Sequence, residues 1–233
     1  SFFRVVSFSP KQERSMARVL RGALSAVLLL AAAPLFGQMG MRPPQFSGVW
    51  NPVVGAGAVY ETSNGQSNKT EISIAVVGKE DSNGKPGYWM EFGFAAPDGQ
   101  PGYMQSLIVV DGGQTHIDKM VMQIPGRPPI EMPVGMMNRG GQAPTTSADI
   151  RQDAEKVGSE TITTPAGSFD CEHWKTKDGN DLWISTKVAP WGLVKMTGPK
   201  ANMTLTKVIA DAKSHITGTP MKFDPSMMGR GRG

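Results

Sequence analysis

Five two-residue turn signals constrain the fold of this chain more than any other feature of its sequence. Each places an Asn or Asp directly before a Gly, and these residues readily adopt the left-handed backbone that tight turns between antiparallel strands require. The five dipeptides are Asn64-Gly65, Asn83-Gly84, Asp98-Gly99, Asp111-Gly112 and Asp178-Gly179. Because each lies between runs of alternating apolar and polar residues, the sequence predicts a meandering antiparallel sheet from Gln45 onward.

The alternation also predicts which side chains share a face of that sheet, because residues two apart in a strand point to the same side. The apolar sets are Ile72, Ile74 and Val76 in one strand and Tyr88, Met90, Phe92 and Phe94 in the next. Further strands are predicted at Gly57–Thr62, Gln105–Val110, Thr115–Ile124, Ser159–Thr164, Phe169–Lys177, Leu182–Ser185, Leu193–Thr197 and Met203–Ile209.

Helical spacing of apolar residues occurs over Asp149–Val157, where it predicts about two turns of helix. The segment Ile124–Thr146 is rich in Pro, Gly and Met and is expected to form a long loop or flap. Residues Thr219–Gly233 are expected to be disordered. The fold class is therefore all-β, or a β-dominated α+β fold with one or two short helices.

The N-terminal segment has the composition of an export signal. Arg18 and Arg21 provide the positive charge, Ala23–Phe36 is the apolar stretch, and Leu35-Phe36-Gly37 is a small-residue cleavage site. The stretch is short for a membrane span, although an uncleaved anchor or a buried core helix is the alternative interpretation. Residues 1–15 resemble translated sequence upstream of a start at Met16.

This leader sets the expected domain organisation and location. Residues 1–37 are a leader and signal peptide that is removed, residues 38–218 form a single β-rich domain, and residues 219–233 form a tail. One domain is the default for this length, which is large enough to bury a sizeable core. We expect the protein to be periplasmic or secreted, with no transmembrane segment in the mature chain.

The charge balance disfavours nucleic acid as a partner. The chain has 24 basic and 20 acidic residues, but the leader holds five of the basic residues and one acidic residue, so 19 of each remain. A neutral mature chain lacks the basic surface that binding to nucleic acid requires. A nucleophile elbow, a zinc-binding helix and a phosphate-binding loop are also missing from the sequence, so we expect a non-enzymatic protein without catalytic residues, cofactor or metal.

The single cysteine, Cys171, excludes an intramolecular disulfide. Cys171 and His173 are two apart in a predicted strand and therefore share a face, where they could bind a soft metal or form a thiol–imidazole pair. Phe169 lies on the same face, and free cysteine is among the most buried residue types. Core packing is therefore the favoured interpretation of this pair.

Methionine is over-represented, with 15 residues in the chain. Several are clustered, namely Met39/Met41, Met120/Met122, Met132/Met136/Met137 and Met227/Met228. Thioether pairs can bind Cu(I) in an exported protein, because soft ligands select soft metals. Flexible Met side chains can instead line an adaptable apolar binding surface, or simply fill a core. The sequence leaves these three interpretations open.

The C-terminal half resembles a family of uncharacterised bacterial exported proteins that is distantly related to the periplasmic lipoprotein-carrier superfamily. The resemblance covers Val157 to Ile209 and rests on VGSETITTPAGSFDCEHW (Val157 to Trp174), LWIS (Leu182 to Ser185) and PWGLVK (Pro190 to Lys195). In this pattern Pro165-Ala166-Gly167 forms a tight turn between two strands, and its Gly can adopt positive φ. The resemblance implies a strongly curved antiparallel half-barrel with an apolar concave face.

From this resemblance and the apolar face we expect a protein that binds lipid, an acyl chain or an envelope partner. The expected ligand-binding residues lie on the aromatic strand and on the Met-rich loop that would cover it: Tyr88, Met90, Phe92, Phe94, Met132, Met136 and Met137. The alternatives are a periplasmic Cu(I)-binding protein that uses Met pairs and a structural envelope protein without a ligand.

Export should remove the leader and leave a chain that begins close to Gln38, because the cleavage site precedes that residue. The intact mass of the protein in the cell-envelope fraction measures this directly. A cytoplasmic protein that retains Arg18 and Arg21 would contradict the prediction.

Overall fold

The computed structural model describes residues 48–63, 69–95, 100–134 and 145–224, and these residues form one open, curved, largely antiparallel sheet. The β-dominated half-barrel predicted from the sequence is confirmed. The thirteen strands found in the described residues are β1 (Gly57–Ser63), β2 (Lys69–Ser82), β3 (Lys85–Ala95), β4 (Pro101–Asp111), β5 (Gln114–Gln123), β6 (Ile130–Glu131), β7 (Thr145–Ser147), β8 (Ala154–Thr164), β9 (Gly167–Thr176), β10 (Asp181–Ile184), β11 (Leu193–Thr197), β12 (Asn202–Ile209) and β13 (Met221–Lys222).

The order across the sheet is β13-β6-β5-β4-β3-β2-β1-β12-β11-β10-β9-β8, and β7 pairs separately with β5. Strands β1 to β6 form one meander and β8 to β12 form a second. The pairing of β1 with β12 joins the two, with Gly57 opposite Ile209 and Ser63 opposite Asn202. β13 pairs with β6 in parallel, unlike the other neighbours. The sheet thus consists of two meanders joined by the pairing of β1 with β12, which we call the seam.

The turns confirm the sequence signals where they are described. Asn83 and Gly84 join β2 to β3 with φ of 53° and 79°, the left-handed pair of a tight hairpin. Gly167, which follows the Pro165-Ala166 turn, has a φ of 123°. The turns that contain Asn64-Gly65 and Asp98-Gly99 lie outside the described residues, although the strands that they join pair with each other as predicted.

The core contains side chains from both meanders and is continuous across the seam. Tyr60 of β1 is fully buried, and its hydroxyl donates a hydrogen bond to the Leu193 carbonyl oxygen at 2.8 Å. Burial raises the pKa of Tyr60 far above its ordinary value, so the phenol remains neutral. Gly57 has no room for a side chain, because a Cβ there would overlap the carbonyl oxygen of Ile74.

The helix predicted over Asp149–Val157 is wrong. A single turn of 3-10 helix covers Ile150–Gln152, and the Asp149 side chain accepts a hydrogen bond from the Arg151 backbone N–H at its start. Ala154 already begins β8, which pairs with β9 along its length. A helix of two turns is marginal by itself, and the ladder of hydrogen bonds to β9 stabilises the extended form instead.

Two other segments differ from the expected loop and tail. The segment Ile124–Thr146 contributes β6 and the first residues of β7, so it is not wholly a loop; residues 135–144 lie outside the described part. The predicted disorder from Thr219 onward is wrong at Met221–Lys222, which form β13 on β6. Residues 225–233 lie outside the described part. None of the helices in the described ranges is long and apolar enough to cross a membrane.

Candidate functional site

One face of β3, β4 and β5 is lined by methionine. Met90, Ser106 and Met120 lie opposite one another on the three strands and form one row across the sheet. Phe92, Met104 and Met122 form the adjacent row. We call these six residues the methionine face. Because facing residues in neighbouring strands lie about 5 Å apart at Cβ, the four thioethers belong to one contiguous surface.

Most of the methionine face is buried in this structure. Met90 and Phe92 are 4% and 3% exposed, and both belong to the main core cluster. Met122 is half-buried. Met132 also packs against this cluster, and its backbone N–H donates to the Met120 carbonyl oxygen at 2.8 Å. Met132 therefore continues the line of β6 beside Met120 at the edge of the face.

The structure brings four of the seven expected ligand-binding residues to one region. Met90, Phe92 and Met132 lie on or against the methionine face, and Tyr88 begins the next row of the same strand. The backbone of Phe94 lies opposite Gly102, but its side chain is outside the described part, as are Met136 and Met137. The ligand-binding role of all seven residues stays a prediction.

Two tryptophans adjoin the Tyr88 end of this face. The Trp50 ring meets the Tyr88 ring edge-on, with centroids 6.3 Å apart, and packs against the Trp191 ring at 4.7 Å. Trp191 is 3% exposed. Sequence analysis used Trp191 only as part of the PWGLVK motif and assigned neither residue to the site, because Trp50 precedes the first strand and Trp191 lies in the connection between β10 and β11. Because neither Trp lies in a strand, the alternation of side chains along a strand could not assign it to a face of the sheet.

Two buried hydrogen-bond donors in this region have no partner among the described residues: the Ser106 hydroxyl and the Trp191 indole N–H. Ser106 is fully buried between Met90 and Met120, whose thioethers are at best weak acceptors. An unsatisfied buried polar group costs about 1–3 kcal/mol. The apolar cluster therefore contains two polar atoms whose hydrogen-bonding capacity is unused.

A cavity of about 530 Å³ is lined in part by Trp50, and we call it the Trp50 cavity. Its lining includes Trp50, Arg151, Cys171, Glu172 and Ile184. Trp50 thus lines this cavity and also contacts Tyr88, at the end of the methionine face.

The polar rim of the Trp50 cavity is an ion-pair network. Arg151 binds Asp149 through Nη2 at 2.7 Å and reaches Glu172 at 3.7 Å, while Lys156 binds Glu172 at 2.5 Å. The hydrogen bond from Arg151 lowers the pKa of Asp149, and the hydrogen bond from Lys156 lowers that of Glu172, so both carboxyls are ionised at neutral pH. Sequence analysis missed this network because it placed Asp149 and Arg151 in a helix.

Cys171 and His173 share a face but do not form a pair in this structure. The Cys171 thiol is 3% exposed and donates to the Phe169 carbonyl oxygen at 3.4 Å. Burial raises the pKa of the Cys171 thiol to about 11. The His173 imidazole instead bonds Asp181 at 2.9 Å and stacks on Trp183 at 4.5 Å. The favoured core position of Cys171 is confirmed by its burial.

Within the described ranges, no three or more His, Cys, Asp and Glu side chains come together in a group that could hold a metal ion. Thioethers are a different class of soft-metal ligand, and the methionine face supplies four of them.

A second polar cluster lies on the opposite face of β3 and β4, and the sequence analysis did not identify it. Glu91 is 5% exposed and accepts hydrogen bonds from Gln105 at 2.7 Å and from the His215 backbone N–H at 3.0 Å. Its other oxygen lies 2.6 Å from His215 Nδ1, and the imidazole stacks on Tyr103 at 4.3 Å. Through these hydrogen bonds, the segment after β12 is bound to the face of β3 and β4 opposite the methionine face, which we call the outer face.

No protein-family model matches the chain, and no curated protein does. The chain is similar in structure to a proposed exported protein with a YmcC-like fold from Bacteroides fragilis, with 13% identity, a TM-score of 0.37 and coverage of 70% of this chain and 99% of that one. It is similar also to a proposed lipoprotein from Parabacteroides distasonis, with 15% identity, a TM-score of 0.35 and coverage of 70% and 100%.

A third similar structure is MucB in complex with MucA(peri), with 12% identity and a TM-score of 0.27. The match covers 70% of this chain and 53% of that one. At these identities and TM-scores, the three likenesses carry no argument about the function of this chain.

Cys171 should react slowly with a thiol reagent in the native protein and rapidly after addition of denaturant. Burial both blocks access and raises the thiol pKa to about 11, so little of the reactive thiolate is present at neutral pH. The rate of labelling with and without denaturant measures this. Fast labelling of the native protein would show an accessible thiol and revive the Cys171/His173 pair as a site.

Proposed function

We propose that this protein is an exported, non-enzymatic binding protein whose methionine face takes an apolar ligand, a lipid or acyl chain. The observation that carries the proposal is the contiguous Met and Phe surface across β3, β4 and β5, with an unpartnered donor, Ser106, at its centre. A largely apolar site with a few placed polar groups is the usual composition of a small-molecule pocket.

The chemistry of the side chains supports an acyl ligand. Methionine is unbranched and polarizable, so a surface of four Met side chains can adapt to a flexible chain without a fixed shape. The aromatic ring of Phe92 lies in the same row as Met104 and Met122 and adds apolar contact area. Such a surface selects for apolar character and length more than for a particular outline.

Met132 extends the Met120 row at the edge of the sheet. Its backbone N–H donates to the Met120 carbonyl oxygen, beyond the β5–β6 pair of Met122 with Ile130, so Met132 lies beside Met120 and packs against the core cluster. Of the described strands, only the two-residue strand β6 borders β5 at this position. We therefore propose that a ligand enters at this edge of the sheet, and that an envelope protein could use the same face.

The proposal is non-enzymatic because the described polar clusters are engaged elsewhere. Arg151 is held by Asp149 and Glu172, and His173 is held by Asp181. His215 is bound to Glu91 on the opposite face of the sheet. These ion pairs account for the positions of Arg151, His173 and His215 without requiring a substrate.

A fluorescent fatty-acyl probe should bind the protein, and Met122→Asp should weaken binding by roughly tenfold or more, because it places a charge in the apolar row. Met122 is half-buried, so this substitution perturbs the fold less than Phe92→Asp, which carries the same prediction at a fully buried position. Fluorescence titration measures both affinities.

Ser73→Asp is the matched control for Met122→Asp. Ser73 is also half-buried and lies on the opposite side of the sheet, where it faces Val59 and Gly93. The control should bind the probe as the native protein does. Equal weakening by both substitutions, or no binding by the native protein, would contradict the proposed site.

Cu(I) binding is a second candidate function, and the cross-strand placement of Met104 opposite Met122, beside Met120, favours it. Thioethers that are dispersed in sequence become neighbours here, as a soft-metal site needs. If they are ligands, Cu(I) should raise the midpoint of thermal unfolding by mass action. Replacing Met120 and Met122 with Leu nearly conserves volume and should abolish the increase. An unchanged midpoint on adding Cu(I) to the native protein would exclude this function.

A further inference from the structure

From the two unpartnered donors we infer that the ligand of the methionine face is an acyl compound that carries a hydrogen-bond acceptor, a carboxylate or an ester carbonyl, which the Ser106 hydroxyl and the Trp191 indole N–H recognise. The inference rests on the proposed function and names the chemical class of its ligand. A plain hydrocarbon would leave both donors unused.

Ser106 is placed to contact whatever covers the face. The strand register puts its side chain directly between Met90 on one neighbouring strand and Met120 on the other, with Met104 two residues away on its own strand. The residue is fully buried, and its hydroxyl has no partner in the described ranges. A ligand that lies along these methionines therefore passes over the only hydroxyl of the two rows that form the face.

Trp191 supplies the second donor at the adjoining end. Its ring packs on Trp50, and Trp50 contacts Tyr88, which precedes Met90 by two residues on the same face of β3. An indole N–H can donate but cannot accept, so its partner must carry an acceptor atom. Two buried donors in one apolar cluster thus select the same kind of ligand group.

The alternative is a ligand whose polar groups are hydrogen-bond donors only. Among the described residues, the buried polar side-chain atoms without a partner are the Ser106 oxygen and the Trp191 nitrogen, and the second of these accepts nothing. Three basic residues near this region are engaged elsewhere: Lys79 lies over the Tyr88 ring at 5.6 Å, Lys119 binds Glu80 and Arg151 binds Asp149. Uncharged donors thus recognise the acceptor, so an ester should be accepted as well as a carboxylate.

The test displaces a bound fluorescent acyl probe with palmitate, methyl palmitate or hexadecane. Palmitate and its methyl ester should compete more strongly than hexadecane against the native protein. Ser106→Ala should reduce that preference by about fivefold, the effect of losing one buried hydrogen bond. Ser106→Thr keeps the hydroxyl and should retain the preference, and Trp191→Phe should reduce it by a similar factor.

Stability of the unliganded variants gives an independent readout. Removing an unpartnered hydroxyl should leave the midpoint of urea unfolding of Ser106→Ala equal to or above that of the native protein, because no protein hydrogen bond is lost. A lower midpoint would show that Ser106 has a partner within the protein and would overturn the inference.

The outcomes separate this inference from the proposed function. If the probe binds but the three competitors are equivalent, or if Ser106→Ala leaves their order unchanged, the acceptor requirement is wrong and the acyl site stands. If the native protein binds no probe, the proposed function fails and the inference fails with it.

Discussion

The pairing of β1 with β12 is the interaction on which the rest of this fold depends. Each meander can form from local hairpins, but neither alone has a second layer to cover its apolar face. The seam brings residues that are far apart in the chain into register, such as Gly57 with Ile209. It also places the Tyr60 hydroxyl on the Leu193 carbonyl, where one buried hydrogen bond joins the first meander to the second. The shared core follows from this contact.

The two faces of β3 and β4 are organised by different forces. On one face Met90, Phe92 and Met104 contribute apolar area to the core, whereas on the other Glu91 and Gln105 bind the segment that contains His215. A buried carboxylate is stable there because three hydrogen bonds compensate its lost hydration. That segment is thus bound on the face opposite the methionine face, which is the binding surface that we propose.

Buried polar atoms distinguish the methionine face from an ordinary core. Ser106 lies between thioethers that are too weakly polar to satisfy its hydroxyl, and Trp191 packs on the Trp50 ring. A core built only for stability would gain by replacing either group with an apolar one of similar size. The two donors are therefore explained better by a bound acceptor than by packing, which links the composition of the face to its proposed function.

The sequence alone determined the local structure. Asn83-Gly84 and the Pro165 turn specify hairpins through backbone conformations that few residues tolerate, and the period of two placed Met90 and Phe92 on one face. The spacing of apolar residues gave a wrong prediction for Asp149–Val157, because pairing with β9 makes a strand more stable there than a short, marginal helix. Tertiary structure decided the β1–β12 seam, the gathering of distant methionines and the position of Trp191 beside Trp50. These contacts depend on how two meanders of one sheet share one core, and no local pattern of residues encodes that.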